Sequence, residues 1–124
     1  MKTPINNVIP VLLDKSITNI INYTLTNNQI KIIEFEFAIR RNLISNKTLL
    51  ILDNDLPQSS KKNVIDKIKS LQLKPLILLA ISSNYRYFLS EPIPLAISGI
   101  IYKPFDMEEF FNIIKHPSNH ELKN

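Results

Sequence analysis

The stretch Leu49-Leu-Ile-Leu-Asp53-Asn-Asp-Leu-Pro57 decides the fold class. Four apolar residues run without a break, and a carboxylate and then a proline end them. A strand buried on both faces of a parallel sheet reads as such a continuous apolar run, not as an alternation. Two other stretches repeat the pattern. Gly99-Ile-Ile-Tyr-Lys103-Pro-Phe105 ends an apolar run on a lysine, and Val11-Leu-Leu-Asp14 ends one on an aspartate. In open α/β sheets, ligands bind beyond the carboxyl ends of the strands. Asp53, Lys103 and Asp14 therefore stand where strands deliver side chains to a site.

On either side of this stretch, apolar runs alternate with segments of helical period, the signature of βα units and a parallel sheet. Strand one spans Ile9 to Leu13, with Pro10 at its start because proline cannot donate to an interior ladder. Ser16 reads as the N-cap of helix one, which carries Ile17, Ile20, Ile21 and Leu25. Strand two runs from Ile30 to Phe35 and helix two from Glu36 to Leu43, with Phe37, Ile39 and Ile44 as apolar candidates. Strand three is Thr48 to Leu52. Helix three starts near Ser59 or Ser60 and buries Val64, Ile65, Ile68 and Leu71. Strand four is Leu76 to Ile81.

Between Asn84 and Ile97, Pro92 and Pro94 forbid a continuous helix, so a short helix followed by irregular chain is expected. Strand five is Ser98 to Tyr102. Asp106 caps the last helix, with Glu109 placed as in a capping box, and Phe110, Ile113 and Ile114 face the sheet.

Composition narrows the function classes. The chain has 124 residues, the size of a single domain spanning 1–124, with no internal repeat beyond the βα alternation. It has no cysteine, which rules out thiolate metal sites, a cysteine nucleophile and disulfides and fits a reducing, cytoplasmic setting. No stretch is long and apolar enough for a membrane span, and Met1-Lys-Thr-Pro-Ile-Asn-Asn lacks the long apolar segment of a signal peptide, so a cytoplasmic location is expected. The formal charge is +4, but the lysines are scattered and form no basic stripe, so nucleic acid is not an expected partner. His116 and His120 lie in a polar tail and are assigned no role.

In these residues the chain resembles the receiver domains of two-component response regulators, of the single-domain chemotaxis-regulator kind, over nearly its whole length. Asp53 with Pro57 four residues on matches the acceptor end of strand three. Lys103-Pro104-Phe105 matches the end of strand five, and Asp14 falls where the family keeps an acidic pair. The resemblance implies a flavodoxin-like three-layer fold, a five-stranded parallel sheet in the order 2-1-3-4-5 with helices on both faces. It implies Asp53 as phosphoacceptor, Lys103 as its charge partner, and a cis peptide before Pro104. Magnesium would be the cofactor, held by the carboxylates of Asp14 and Asp53 and the backbone carbonyl of Asp55. The implied partners are a histidine kinase or phosphotransfer protein and a downstream protein target. Enzyme activity would be limited to self-phosphorylation and autodephosphorylation at Asp53.

The departures define the rival reading, a pseudo-receiver that binds partners without phosphotransfer. Leu13 replaces one acid of the pair. Ala80 stands where the family has a Ser or Thr, and Ile100 where it has a switch aromatic. Ser82 and Ser83 could substitute for the hydroxyl only if strand four ends differently, and Tyr102, two residues past Ile100, shares its face but lies beside Lys103. Plainer roles are also open. Asp14 could cap helix one, Asp55 reads as a turn residue facing solvent, and Tyr85, Tyr87 and Phe88 either cover the core or face a partner.

Overall fold

The computed structural model describes residues 5–26, 30–82 and 95–115. Five strands form one all-parallel sheet in the order β2-β1-β3-β4-β5. The strands are β1 (Asn7–Val11), β2 (Lys31–Ile32), β3 (Thr48–Asp53), β4 (Leu76–Ser82) and β5 (Gly99–Lys103). The helices are α1 (Lys15–Thr26), α2 (Phe35–Arg40), α3 (Gln58–Lys69) and α4 (Met107–Lys115). This is the expected flavodoxin-like α/β architecture. Among the described residues no helix is long and apolar enough to cross a membrane.

The alternation of side chains along each strand sorts the core into two layers. On one face Leu49, Ile51, Leu78 and Ile101 pack with Ile21 and Leu25 of α1 and with Phe110, Ile113 and Ile114 of α4. On the other, Leu50, Leu52, Ile77 and Leu79 pack with Phe35 and Ala38 of α2 and with Val64, Ile65 and Ile68 of α3. β3 is buried at every residue, which is why its sequence shows no alternation.

Several boundaries differ from the sequence reading, each for a physical reason. β1 begins at Asn7, so Pro10 lies inside the strand. Pro10 has the parity of Val8, whose carbonyl accepts the Ile33 N–H. The missing Pro10 N–H therefore faces the β2 side, where the ladder covers only Asn7 and Val8. β2 is two residues long because Glu34 turns the chain into α2. Its carboxylate accepts the N–H groups of Glu36 and Phe37, and Phe35 becomes a buried helical residue. Phe37 is 40 % exposed and lies under the Arg41 guanidinium instead of in the core. Helix three starts at Gln58 because the Pro57 carbonyl already accepts from Lys61 N–H, so no serine cap is needed.

The α4 start matches the expectation: Asp106 Oδ1 accepts from the N–H groups of Glu108 and Glu109 at 2.9 and 3.3 Å. Leu95 to Ser98 form neither helix nor strand. The expected short helix at Tyr85, the Tyr85, Tyr87 and Phe88 surface, Ser83 and both histidines lie outside the described residues.

Phe110 is fully buried and stacks on Phe105 at 5.9 Å between ring centroids. Phe110→Ala should cost about 3–5 kcal/mol in urea unfolding, the usual loss for a buried aromatic. Ile20→Ala, at a position 52 % exposed on α1, should stay within about 0.5 kcal/mol.

Candidate functional site

The register delivers Asp53 and Lys103 to one corner. Asp53 has the parity of Leu49 and Ile51, and Lys103 that of Gly99 and Ile101, so both project on the α1/α4 face. They lie on strands separated by β4, where Asp53 pairs with Ala80 and Lys103 with Ser82. Two strand spacings are about 10 Å, a gap that a lysine stem and an aspartate can close together. Ala80 carries only a methyl group between them and leaves that path open. The Lys103–Pro104 peptide is cis, as the resemblance implies.

Asp53 is fully buried and is hydrogen-bonded at both oxygens. Lys103 Nζ donates to Oδ1 at 2.8 Å, and the Asp55 N–H donates to the same oxygen at 2.9 Å. The Leu13 N–H donates to Oδ2 at 3.0 Å. Position 13 thus serves Asp53 through its backbone, while its side chain is 56 % exposed. A buried charge is tolerated only when paired and hydrogen-bonded, and here both conditions hold.

Asp55 departs from its sequence reading as a solvent-facing turn residue. Its Oδ2 lies 2.7 Å from Lys103 Nζ, so the ammonium bridges two carboxylates. Sequence position gave no sign of this, because a turn residue's side-chain direction depends on the loop and on where Lys103 reaches. Desolvation pushes the Lys103 pKa down, but its bonds to Asp53 and Asp55 outweigh that and raise it above the ordinary lysine value.

Asp14 takes the plainer of its two roles and caps α1. Its Oδ1 accepts from the Ser16 hydroxyl at 2.7 Å and the Ser16 N–H at 2.9 Å. The cap is therefore Asp14 and not Ser16, with Ser16 as its donor. These bonds lower the Asp14 pKa, with a small contribution from the Lys103 charge. Among the described residues no three Asp, Glu, His or Cys side chains are grouped to hold a metal ion. The hard oxygens magnesium favours are present at Asp53 and Asp55, but the Lys103 ammonium stands between those two carboxylates.

The loop after β3 has a further support. Lys61 Nζ donates to the Asn54 carbonyl at 3.0 Å and to its Oδ1 at 3.3 Å, tying α3 to the residue between Asp53 and Asp55. Nothing in the sequence marks Lys61 for this contact. Asn54 N–H in turn donates to the Ala80 carbonyl at 2.8 Å, which extends the β3–β4 ladder into the loop.

Comparison with known proteins finds no match to a family model, a curated protein or a solved structure.

Lys103→Met would leave the Asp53 carboxylate buried without its counter-charge. The variant should lose about 3–5 kcal/mol at neutral pH, with much of the loss recovered in the Asp53→Asn, Lys103→Met double variant. Because folding raises the Lys103 pKa, its contribution is complete below the unfolded lysine value of about 10.4. It is lost as pH rises through the higher folded value. Urea unfolding from pH 7 to 11.5 should show a decline above about pH 10.4 that is steeper in the wild type than in the double variant, which keeps the Lys62–Asp66 pair.

Proposed function

We propose that the chain is a divergent receiver-like signalling domain that accepts a phosphoryl group on Asp53 from a histidine kinase or phosphotransfer protein and acts through a downstream protein target. The observation that carries the reading is the Asp53–Lys103 pair, 2.8 Å apart at the carboxyl edge of a 2-1-3-4-5 parallel sheet. A carboxylate is a competent nucleophile toward phosphorus, and phosphoryl transfer asks the protein mainly for positioning and charge neutralisation. Oδ2 accepts one described hydrogen bond and Oδ1 two, so Oδ2 is the oxygen freer to attack. Its lone pair forms the new P–O bond as the P–N bond of a phosphohistidine breaks. The P–N electron pair leaves with the imidazole, which takes a proton from solvent, and an acyl phosphate remains on Asp53. Lys103 supplies a compact positive charge for a phosphoryl oxygen.

Magnesium enters the proposal as a weak ligand, held by the Asp53 carboxylate and the Asp55 backbone carbonyl, with Asp14 as a third donor only if it leaves its cap. When bound it would supply further neutralisation of the phosphoryl charge. The cysteine-free composition supports a cytoplasmic setting for this chemistry.

A second reading, a partner-binding module without phosphotransfer, is favoured by one observation. The Asp53 side chain is only 1 % exposed and is held by three donors, so a phosphodonor reaches it only if Leu13 or Lys103 moves. Ala80, fully buried beside Asp53, offers no hydroxyl to a phosphoryl group. Ser82, the register partner of Lys103, is the hydroxyl on the same face.

Incubation with acetyl phosphate and magnesium should add one phosphoryl group by intact mass, and Asp53→Asn should abolish the adduct. A wild type that stays unlabelled while remaining folded would decide for the second reading. Leu13→Asp should tighten magnesium roughly tenfold by restoring an anionic ligand. Titration calorimetry showing no gain would place residue 13 outside the metal site.

A further inference from the structure

We propose that Asp55 gates the Asp53 centre by competing with an incoming oxyanion for the Lys103 ammonium. The inference rests on the reading of Asp53 as the acceptor and concerns how that same site is regulated.

The geometry is a graded stack. Asp53 lies at the bottom with its side chain 1 % exposed, Lys103 above it at 15 %, and Asp55 at the rim at 26 %. Lys103 Nζ is 2.8 Å from Asp53 Oδ1 and 2.7 Å from Asp55 Oδ2. An ammonium has three donors and no preferred plane, and two of these donors are already committed to carboxylates. An oxyanion arriving on Asp53 brings new negative charge that needs the same ammonium. It meets Asp55 twice: as a like charge close by, and as a rival acceptor already seated on the lysine. Partial burial keeps water from screening either effect fully.

Removing the Asp55 charge would therefore free a Lys103 donor and remove the repulsion. The other anchors would remain. The Asp55 N–H still donates to Asp53 Oδ1, and Lys61 still holds Asn54. Asp55 is thus a positioning residue acting through Lys103. Its carboxylate biases the lysine toward a closed arrangement in which the acceptor is covered. A partner protein that drew Asp55 away, for example with an arginine or lysine of its own, would open the centre. A ligand shifts such an equilibrium only through its different interactions with the two arrangements, and a cation contacting Asp55 provides that difference.

The test uses beryllofluoride, a non-covalent phosphoryl mimic, added to the full chain with magnesium chloride and followed by fluorine NMR, with the Leu13 amide resonance as a second reporter. The Leu13 amide donates directly to Asp53 and should shift when the mimic binds. Asp55→Asn should reach half-saturation at roughly one-tenth of the wild-type concentration, the size of effect expected for one charge-assisted hydrogen bond. Asp55→Glu, which keeps the charge, should stay near the wild type. Asp66→Asn removes an equal charge from the exposed face of α3 and should change nothing. Equal affinity of Asp55→Asn and wild type would overturn the gate while leaving Asp53 as acceptor. No adduct in any variant would overturn the acceptor reading and the gate with it.

Discussion

The rest of the site is arranged around one buried carboxylate. Asp53 closes β3, the central strand, and is covered on every side. Taking an ionised carboxylate out of water is expensive, and attraction to one counter-ion repays that cost only with good geometry and further hydrogen bonds. The fold meets this demand from three directions. The β1–α1 loop brings the Leu13 N–H, the β3–α3 loop brings the Asp55 N–H, and β5 brings Lys103. These groups come from residues 40 and 50 positions away as well as from the adjacent loop, so the pair ties β1, β3 and β5 into one carboxyl-edge cluster.

That cluster depends on what the sheet leaves empty as much as on what it supplies. β4 runs between the two charged strands, and its contribution at this level is Ala80. A larger side chain on that face would stand between Lys103 and Asp53. The same small residue removes the hydroxyl that a receiver-like site would use on a phosphoryl oxygen. At position 80 the chain therefore offers the lysine an open path but no hydroxyl. The position of Ser82 next to Lys103 keeps a hydroxyl within the same face, one pleat further along the strand.

Charge is distributed around the centre in a way that composition conceals. The chain as a whole is basic, yet this corner collects Asp53, Asp55 and Asp14 around a single lysine. Asp14 is bound to Ser16 and stabilises the α1 N-terminus, where a negative charge also meets the positive end of the helix dipole. Asp55 is bound to Lys103. The two loop acids therefore serve different partners, one the helix and the other the lysine.

The sequence by itself determined the layout. Continuous apolar runs at Leu49–Leu52 and Leu76–Ile81, alternating with helical periods, specify a parallel sheet because only strands covered on both faces dispense with polar positions. Asp53 and Lys103 were legible because each ends such a run; that both lie on one face follows from the cross-strand register through β4. Boundaries near β1 and β2 were less legible. Whether Pro10 can lie within a strand depends on how far the neighbouring strand extends, and whether Phe35 is strand or helix depends on where the Glu34 carboxylate turns. Tertiary structure alone decided the partners of the loop acids. Asp14 and Asp55 both sit just past strand ends, and nothing in their spacing says that one turns back to cap a helix while the other reaches a lysine 48 positions on. Side-chain direction in a loop follows from which donors the assembled fold brings within reach. Those donors lie on separate elements that meet only when the sheet is complete.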